Sequence, residues 1–164
     1  MTPWRRSAAR WRPDHVPAPT RLADRAAFSV WVREITRFGD TDALGHVNNA
    51  TFATFTETAR VLFLVNPEAP LKPPGCTFVI ARLVLDFRAE LQWNETVDIG
   101  TLALGIGRSS FTLGHGMFRG VTCVATAETV LVLIDETTRR STPLPQSLRA
   151  RLDAVLLDAP PASS

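Results

Sequence analysis

The ten residues Asp40-Thr41-Asp42-Ala43-Leu44-Gly45-His46-Val47-Asn48-Asn49 hold two carboxylates, a glycine, an imidazole and two amides. A carboxylate can attack a carbonyl or draw a proton from water, and an imidazole titrates near neutral pH. The two asparagines are good helix starters. A helix start offers unpaired backbone N–H groups and a positive dipole end, which stabilise negative charge that develops in a dry site. Gly45 allows the tight bend that would aim the N–H groups of Val47 to Asn49 at such a charge. Each residue also has a plainer use. Asp42 can cap the turn or the helix, Asp40 can hydrogen-bond the loop, His46 can order it, and capping alone accounts for one asparagine.

These residues need a frame, and the surrounding pattern supplies one. Phe28, Val30, Val32 and Glu34 alternate on one face, which predicts a strand over 27–38, followed by a loop over 39–47. Residues 48–65 read as a helix. Phe52, Phe55, Ala59, Leu62 and Phe63 share one face, Ala50, Ala53, Val61 and Leu64 cover much of the other, and Thr51, Thr54 and Thr58 form a polar wedge. A helix apolar on most sides is expected inside its domain, with other elements wrapped around it. Pro67, Pro70, Pro73, Pro74 and Gly75 stop it. Strands are predicted over 77–89, 95–105, 109–118 and 121–134, with Val79, Ala81, Leu83, Leu85 and Phe87 on one face of the first. Short turns at 105–108 and 119–120 imply hairpins, and 147–157 reads as a closing helix. One helix among five antiparallel strands is an α+β arrangement with the sheet curled around the helix.

Glu57 sits on this apolar helix, where an unpaired carboxylate is costly or stays protonated; Arg60 at i+3 offers a local ion pair. Cys76 and Cys123 lie in or near apolar runs far apart in sequence, which reads as two buried free thiols and a cytoplasmic setting.

Composition narrows the function. At 164 residues with 45% hydrophobic content the chain makes one domain with a real core. No stretch approaches the roughly 20 apolar residues of a membrane span. Eighteen basic against 16 acidic residues leave a net charge of +2, which argues against a nucleic-acid partner. Residues 1–26 carry six arginines and four prolines without apolar periodicity and are expected to be a loose extension; 27–158 form the domain, and 159–164 fray.

The motif D-x-D-x-x-G-H-V-N-N, the helix motif F-x-x-F-x-E-x-A-R and the later turn I-G-R-S-S-F together resemble the hotdog-fold acyl-thioesterases of the 4-hydroxybenzoyl-CoA thioesterase type, over about Phe28 to Pro145. Phe52 and Phe55 stand where many relatives carry tyrosine. The resemblance implies a hotdog fold, a five-stranded antiparallel sheet wrapped around a central helix, and cleavage of an acyl-CoA or acyl-carrier-protein thioester to acid and thiol. It further implies that Asp42 is the catalytic carboxylate, that the N–H of Asn49 polarises the thioester carbonyl, and that Glu57 is a reserve carboxylate. Gly45, His46, Val47 and Asn48 would line or shape the substrate site, and Arg108 would stand near the channel mouth to meet coenzyme A phosphates. No metal and no cofactor is expected, and a homodimer, or a tetramer, would cover the sheet edges. A hotdog domain that binds acyl thioesters without cleaving them is the alternative; a dehydratase would need an acid/base pair that the sequence does not display.

Overall fold

A computed structural model describes residues 20–65 and 71–157. Five antiparallel strands, β1 (Val30–Ile35), β2 (Cys76–Phe87), β3 (Thr96–Ile106), β4 (Ser110–Arg119) and β5 (Thr122–Asp135), form one sheet in the order β1-β3-β4-β5-β2. A 16-residue helix, α1 (Asn49–Leu64), packs on one face of the sheet, and a short helix, α2 (Gln146–Asp153), follows the last strand. This is the hotdog arrangement.

Alternation in the sheet puts two apolar clusters under α1. Phe52, Phe55 and Ala59 of the helix meet Val97, Ile99, Met117 and Ala125, while Phe63 meets Ala103, Phe111, Leu113 and Leu131 near its other end. The three helix phenylalanines are at most 5% exposed, so each contributes about 2 kcal/mol from burial. Between the clusters, Thr101, His115 and Thr129 occupy the same period-two face, opposite Thr56 and Arg60 of α1, and all five are buried. A polar layer therefore interrupts the core.

Several expectations need correcting. The helix is not buried all round: Phe52, Phe55, Thr56, Ala59, Arg60 and Phe63 face the sheet, but Val61 and Leu62 are about half exposed because a single sheet covers only one side. In β2 the predicted face does not persist, since the register slips between Ile80 and Arg82 and the alternation changes phase there. Phe78 thus points into the core in the first half and Leu85 in the second. β1 is shorter than 27–38; Phe28 precedes it and packs with Trp31 and Phe118 on the opposite face of the sheet from α1.

The expected loose extension is also cut back. Residues 20–27 form two 3-10 turns, Thr20–Ala23 and Arg25–Ala27, that strap this second face. Leu22 is fully buried there, and Arg25 bonds Asp98 at 2.7 Å with its guanidinium 4.4 Å from the Trp31 ring centre. The strap fits because Gly114 and Gly116 leave room that any side chain would fill. Residues 1–19, and the tail expected to fray, lie outside the described residues.

Cys76 is buried and Cys123 half-buried; both are free thiols, and burial pushes the Cys123 thiol pKa up. Among the described residues no helix is long and apolar enough to cross a membrane.

Candidate active site

The loop over 40–49 is tied down by its own backbone. Thr41 and Val47 pair as an antiparallel bridge, the Asp42 N–H donates to the His46 carbonyl at 2.9 Å, and the Gly45 N–H donates to the Asp42 carbonyl at 3.0 Å. Gly45 closes this turn at φ +83°, a left-handed conformation that a side chain would strain. The Val47 N–H reaches the Leu91 carbonyl at 2.8 Å, fastening the loop to the segment after β2.

Helix α1 then starts on Asn48. Its side-chain oxygen accepts from the Ala50 N–H at 2.9 Å, its carbonyl accepts from Thr51, and its own N–H donates to the Asp40 carbonyl. The N–H of Asn49 is the one left. From Asn48 to Thr51 every other backbone N–H has an acceptor among the described residues. Unpaired N–H groups at a helix start are strong sites for negative charge.

Asp42 and Asn49 line a common cleft of about 390 Å³ with His46, Val47, Phe52, Phe87, Arg88 and Glu90. The Asp42 carboxylate accepts from the Leu44 N–H at 2.8 Å through Oδ1, and its other oxygen has no partner among the described residues. His46 Nε2 lies 3.3 Å from Glu90 Oε2. Phe52 and Phe87, ring centres 5.3 Å apart, form the apolar wall. The cleft is lined by an exposed carboxylate, by the helix-start residue whose N–H has no acceptor among the described residues, and by an aromatic wall, a combination that acyl hydrolysis can use.

Not every predicted site residue arrives here. Gly45 and Asn48 shape the cleft from behind and do not line it; Val47 lines it but is mostly core, at 4% exposure. Glu57, expected deep in an apolar setting, has a side chain 64% exposed, and it is Arg60 that is buried. Glu57 lines a second pocket of about 560 Å³ between α1 and β2, together with Arg60, Lys72, Phe78 and Leu131. Burial pulls the Arg60 pKa below its ordinary value against the opposing pull of Glu57. Arg108 lies outside both pockets, at the β3–β4 turn, where its carbonyl accepts from Leu144 and Arg149. That turn adjoins Leu133, at the end of the sheet opposite the Ala125 and Phe87 pairing beside the Asp42 cleft. Phe87, Arg88 and Glu90 carry no local signal of a site, because only the long-range placement of β2 brings them to the loop.

The family model of the thioesterase-like superfamily matches residues 36–152, which include the loop, α1 and all strands from β2 onward. The chain belongs to that superfamily. This thioesterase-like chain is similar in sequence to a named hydrolase and in fold to solved structures. A 1,4-dihydroxy-2-naphthoyl-CoA hydrolase of Synechococcus elongatus is 25% identical over 122 residues, covering 71% of this chain and 90% of that one. A thioesterase of Thermus thermophilus, solved with coenzyme A and Zn, is 33% identical at a TM-score of 0.67, over 76% of this chain and 98% of that one. A Pseudomonas aeruginosa protein, 23% identical, superposes at a TM-score of 0.73 over 83% and 97% and speaks to the fold alone. Among the described residues of the thioesterase-like chain, no group of three or more His, Cys, Asp and Glu is placed to hold a metal ion.

Proposed function

We infer that the protein hydrolyses acyl-CoA thioesters, with Asp42 as the reacting carboxylate and the Asn49 N–H as the donor to the thioester carbonyl. The observation that supports this reading is that Asn49, whose N–H alone at the α1 start has no acceptor among the described residues, lines the same cleft as Asp42. The carbonyl oxygen accepts from Asn49, and the negative charge it gains on attack is stabilised by that N–H and the helix dipole. Asp42 then works in one of two ways. Its carboxylate attacks the carbonyl carbon and expels the thiolate, leaving an anhydride that water cleaves, or it takes a proton from water that attacks directly. Oxygen-18 from labelled water can enter the Asp42 carboxyl only in the first case, where water attacks the anhydride at the aspartyl carbonyl. His46, held by Glu90, lines the entry and orders the loop.

The same reading includes a partner copy. Among the described residues β2 pairs with β5 on one side only, and its open edge and the adjoining helix face expose Ile80, Leu83, Phe87, Val61 and Leu62. A two-fold axis through such an edge makes β2 pair antiparallel with its counterpart. Pairing centred near Arg82 sets Phe87 of one protomer beside the Phe78 region of the other. The Asp42 cleft of each protomer then abuts the Glu57 and Arg60 pocket of its partner, and water is shut out. Two such pairs can join as a tetramer. Two free thiols fit a reducing compartment, and we place the enzyme in the cytoplasm.

The test is thiol release from a panel of acyl-CoAs and acyl-carrier-protein thioesters by wild type and Asp42→Asn. Turnover by wild type and a loss of roughly 10²- to 10⁴-fold in kcat for the variant are expected. Absence of turnover on every thioester would leave a binding domain, and full activity of Asp42→Asn would move the chemistry to Glu57.

A further inference from the structure

Arg60 is a buried charge with too little around it. Only 6% of the residue is exposed, and its one ion-pair partner among the described residues, Glu57, stands 3.7 Å away, beyond hydrogen-bond length, with a side chain 64% exposed. Among the described residues the guanidinium donates no hydrogen bond, although it carries five donors. Buried charges are normally paired and hydrogen-bonded.

The layer behind it is short of partners as well. Thr101 Oγ1 lies 3.1 Å from His115 Nδ1, while His115 Nε2 and Thr129 Oγ1 have no hydrogen-bond partner among the described residues; all three residues are buried. Arg60 is near enough to His115 to act on its charge, and Leu131, two residues from Thr129 on the same strand face, lines the same pocket as Arg60. Arg60 therefore stands between an open pocket and a polar layer.

The pocket itself is a seat for a small group. Its volume of about 560 Å³ is in the range of small-molecule sites, and Val61, Phe78 and Leu131 contribute apolar wall. Its charged lining is Arg60 and Lys72 against Glu57, one positive charge in excess. An occupant with an apolar body and a negatively charged oxygen at its far end would satisfy the guanidinium that the fold leaves open.

We propose that this pocket holds the far end of the acyl group, and that Arg60 selects acyl groups ending in a carboxylate over plain alkyl chains of the same length. The proposal rests on the thioesterase reading and on the pairing of protomers, which together run the acyl chain from Asp42 of one protomer to Arg60 of its partner. Arg60 is a specificity residue here and takes no part in the bond-breaking step.

Two length-matched substrate pairs test it on the full-length protein: adipoyl-CoA against hexanoyl-CoA, and suberoyl-CoA against octanoyl-CoA. A charge-assisted bond to Arg60 predicts that wild type favours the carboxylated member of at least one pair by roughly ten- to a hundredfold in kcat/KM. The ratio collapses toward one in Arg60→Met and is partly kept in Arg60→Lys. Lys72→Met, at an exposed rim position, lowers the ratio too and carries the comparison should Arg60→Met not fold. A second readout does not need turnover: free adipate or suberate raises the melting temperature of wild type, hexanoate and octanoate do not, and Arg60→Met loses the effect. Equal or faster cleavage of the alkyl thioesters, or a ratio unchanged in Arg60→Met, overturns the proposal. If no thioester is cleaved, the thioesterase reading fails by itself; diacid stabilisation that depends on Arg60 then still supports a carboxylate seat, and its absence overturns it.

Discussion

His115 shows how one buried side chain sets a property of the whole chain. It is fully buried beneath α1, and desolvation, aided by the positive charge of Arg60, pushes its pKa from 6.5 down to about 3. The folded protein therefore keeps this imidazole neutral at a pH where the unfolded chain binds a proton. Stability rises with pH wherever the unfolded state holds more protons, so His115 weakens the fold as pH falls from 6.5 toward 3. Asp98 and Asp135 act lower. Asp98 is held below the ordinary carboxylate value first by its bond to Arg33, and Asp135 by the Thr138 N–H, so the stability they add is present above about 3.8 and lost beneath it. Between about pH 6 and 4 wild type should thus lose about 1.4 kcal/mol more per pH unit than His115→Gln. Urea unfolding at stepped pH reads the slope, and parallel slopes for the two proteins would refute the assignment.

At the scale of elements, what could be read from the sequence was what is local. The Asn48 cap, the turn around Gly45 and the helix behind them depend on residues within a few positions of one another, and 48–65 closely matches α1. Strand alternation found the four later strands, whose bounds differ by only a few residues. What escaped was set by pairing at long range. The register slip at Ile80 and Arg82 has no glycine or proline to mark it, and it decides which half of β2 buries odd and which buries even residues. The delivery of Phe87 to Glu90 to the Asp42 loop follows from that placement. The strap escaped because 20–27 has no period; its fit lies in Gly114 and Gly116, about ninety residues away. This gives a direct test. A Cβ on Gly116 would lie 2.5 Å from the Leu22 carbonyl oxygen, a backbone atom that cannot turn aside, and within 2.8 Å of the Phe28 ring. Gly116→Ala should cost about 1–3 kcal/mol in urea unfolding and expose Arg21 and Arg25 to trypsin much faster than in wild type. Unchanged cleavage there would mean that the strap can shift without leaving the sheet.

For the molecule as a whole, the proposed site would be completed by the proposed partner copy. The Asp42 carboxylate is exposed, yet an unpaired N–H gains its large effect on a developing oxyanion only where water is excluded. The surfaces that could exclude it are the ones left apolar and open along the free edge of β2 and the outer face of α1. Leu83 is near the middle of that edge, 38% exposed. A lysine there would set two charges close together across the proposed two-fold axis while disturbing little within the protomer, since edge lysines are a common device against strand pairing. Leu83→Lys should therefore elute as a folded monomer with native circular dichroism, where wild type elutes as a dimer or tetramer in light-scattering chromatography. Its kcat should fall tenfold or more, because each Asp42 cleft would lose the wall that the partner is proposed to supply. Mixing decides between a lost interface and a damaged site. If Asp42→Asn and Arg60→Met protomers are combined, half of the sites in a mixed dimer carry both lesions and half carry neither, so cleavage of adipoyl-CoA should reappear above that of either variant alone. A mixture no more active than its parts would place the whole site within one chain.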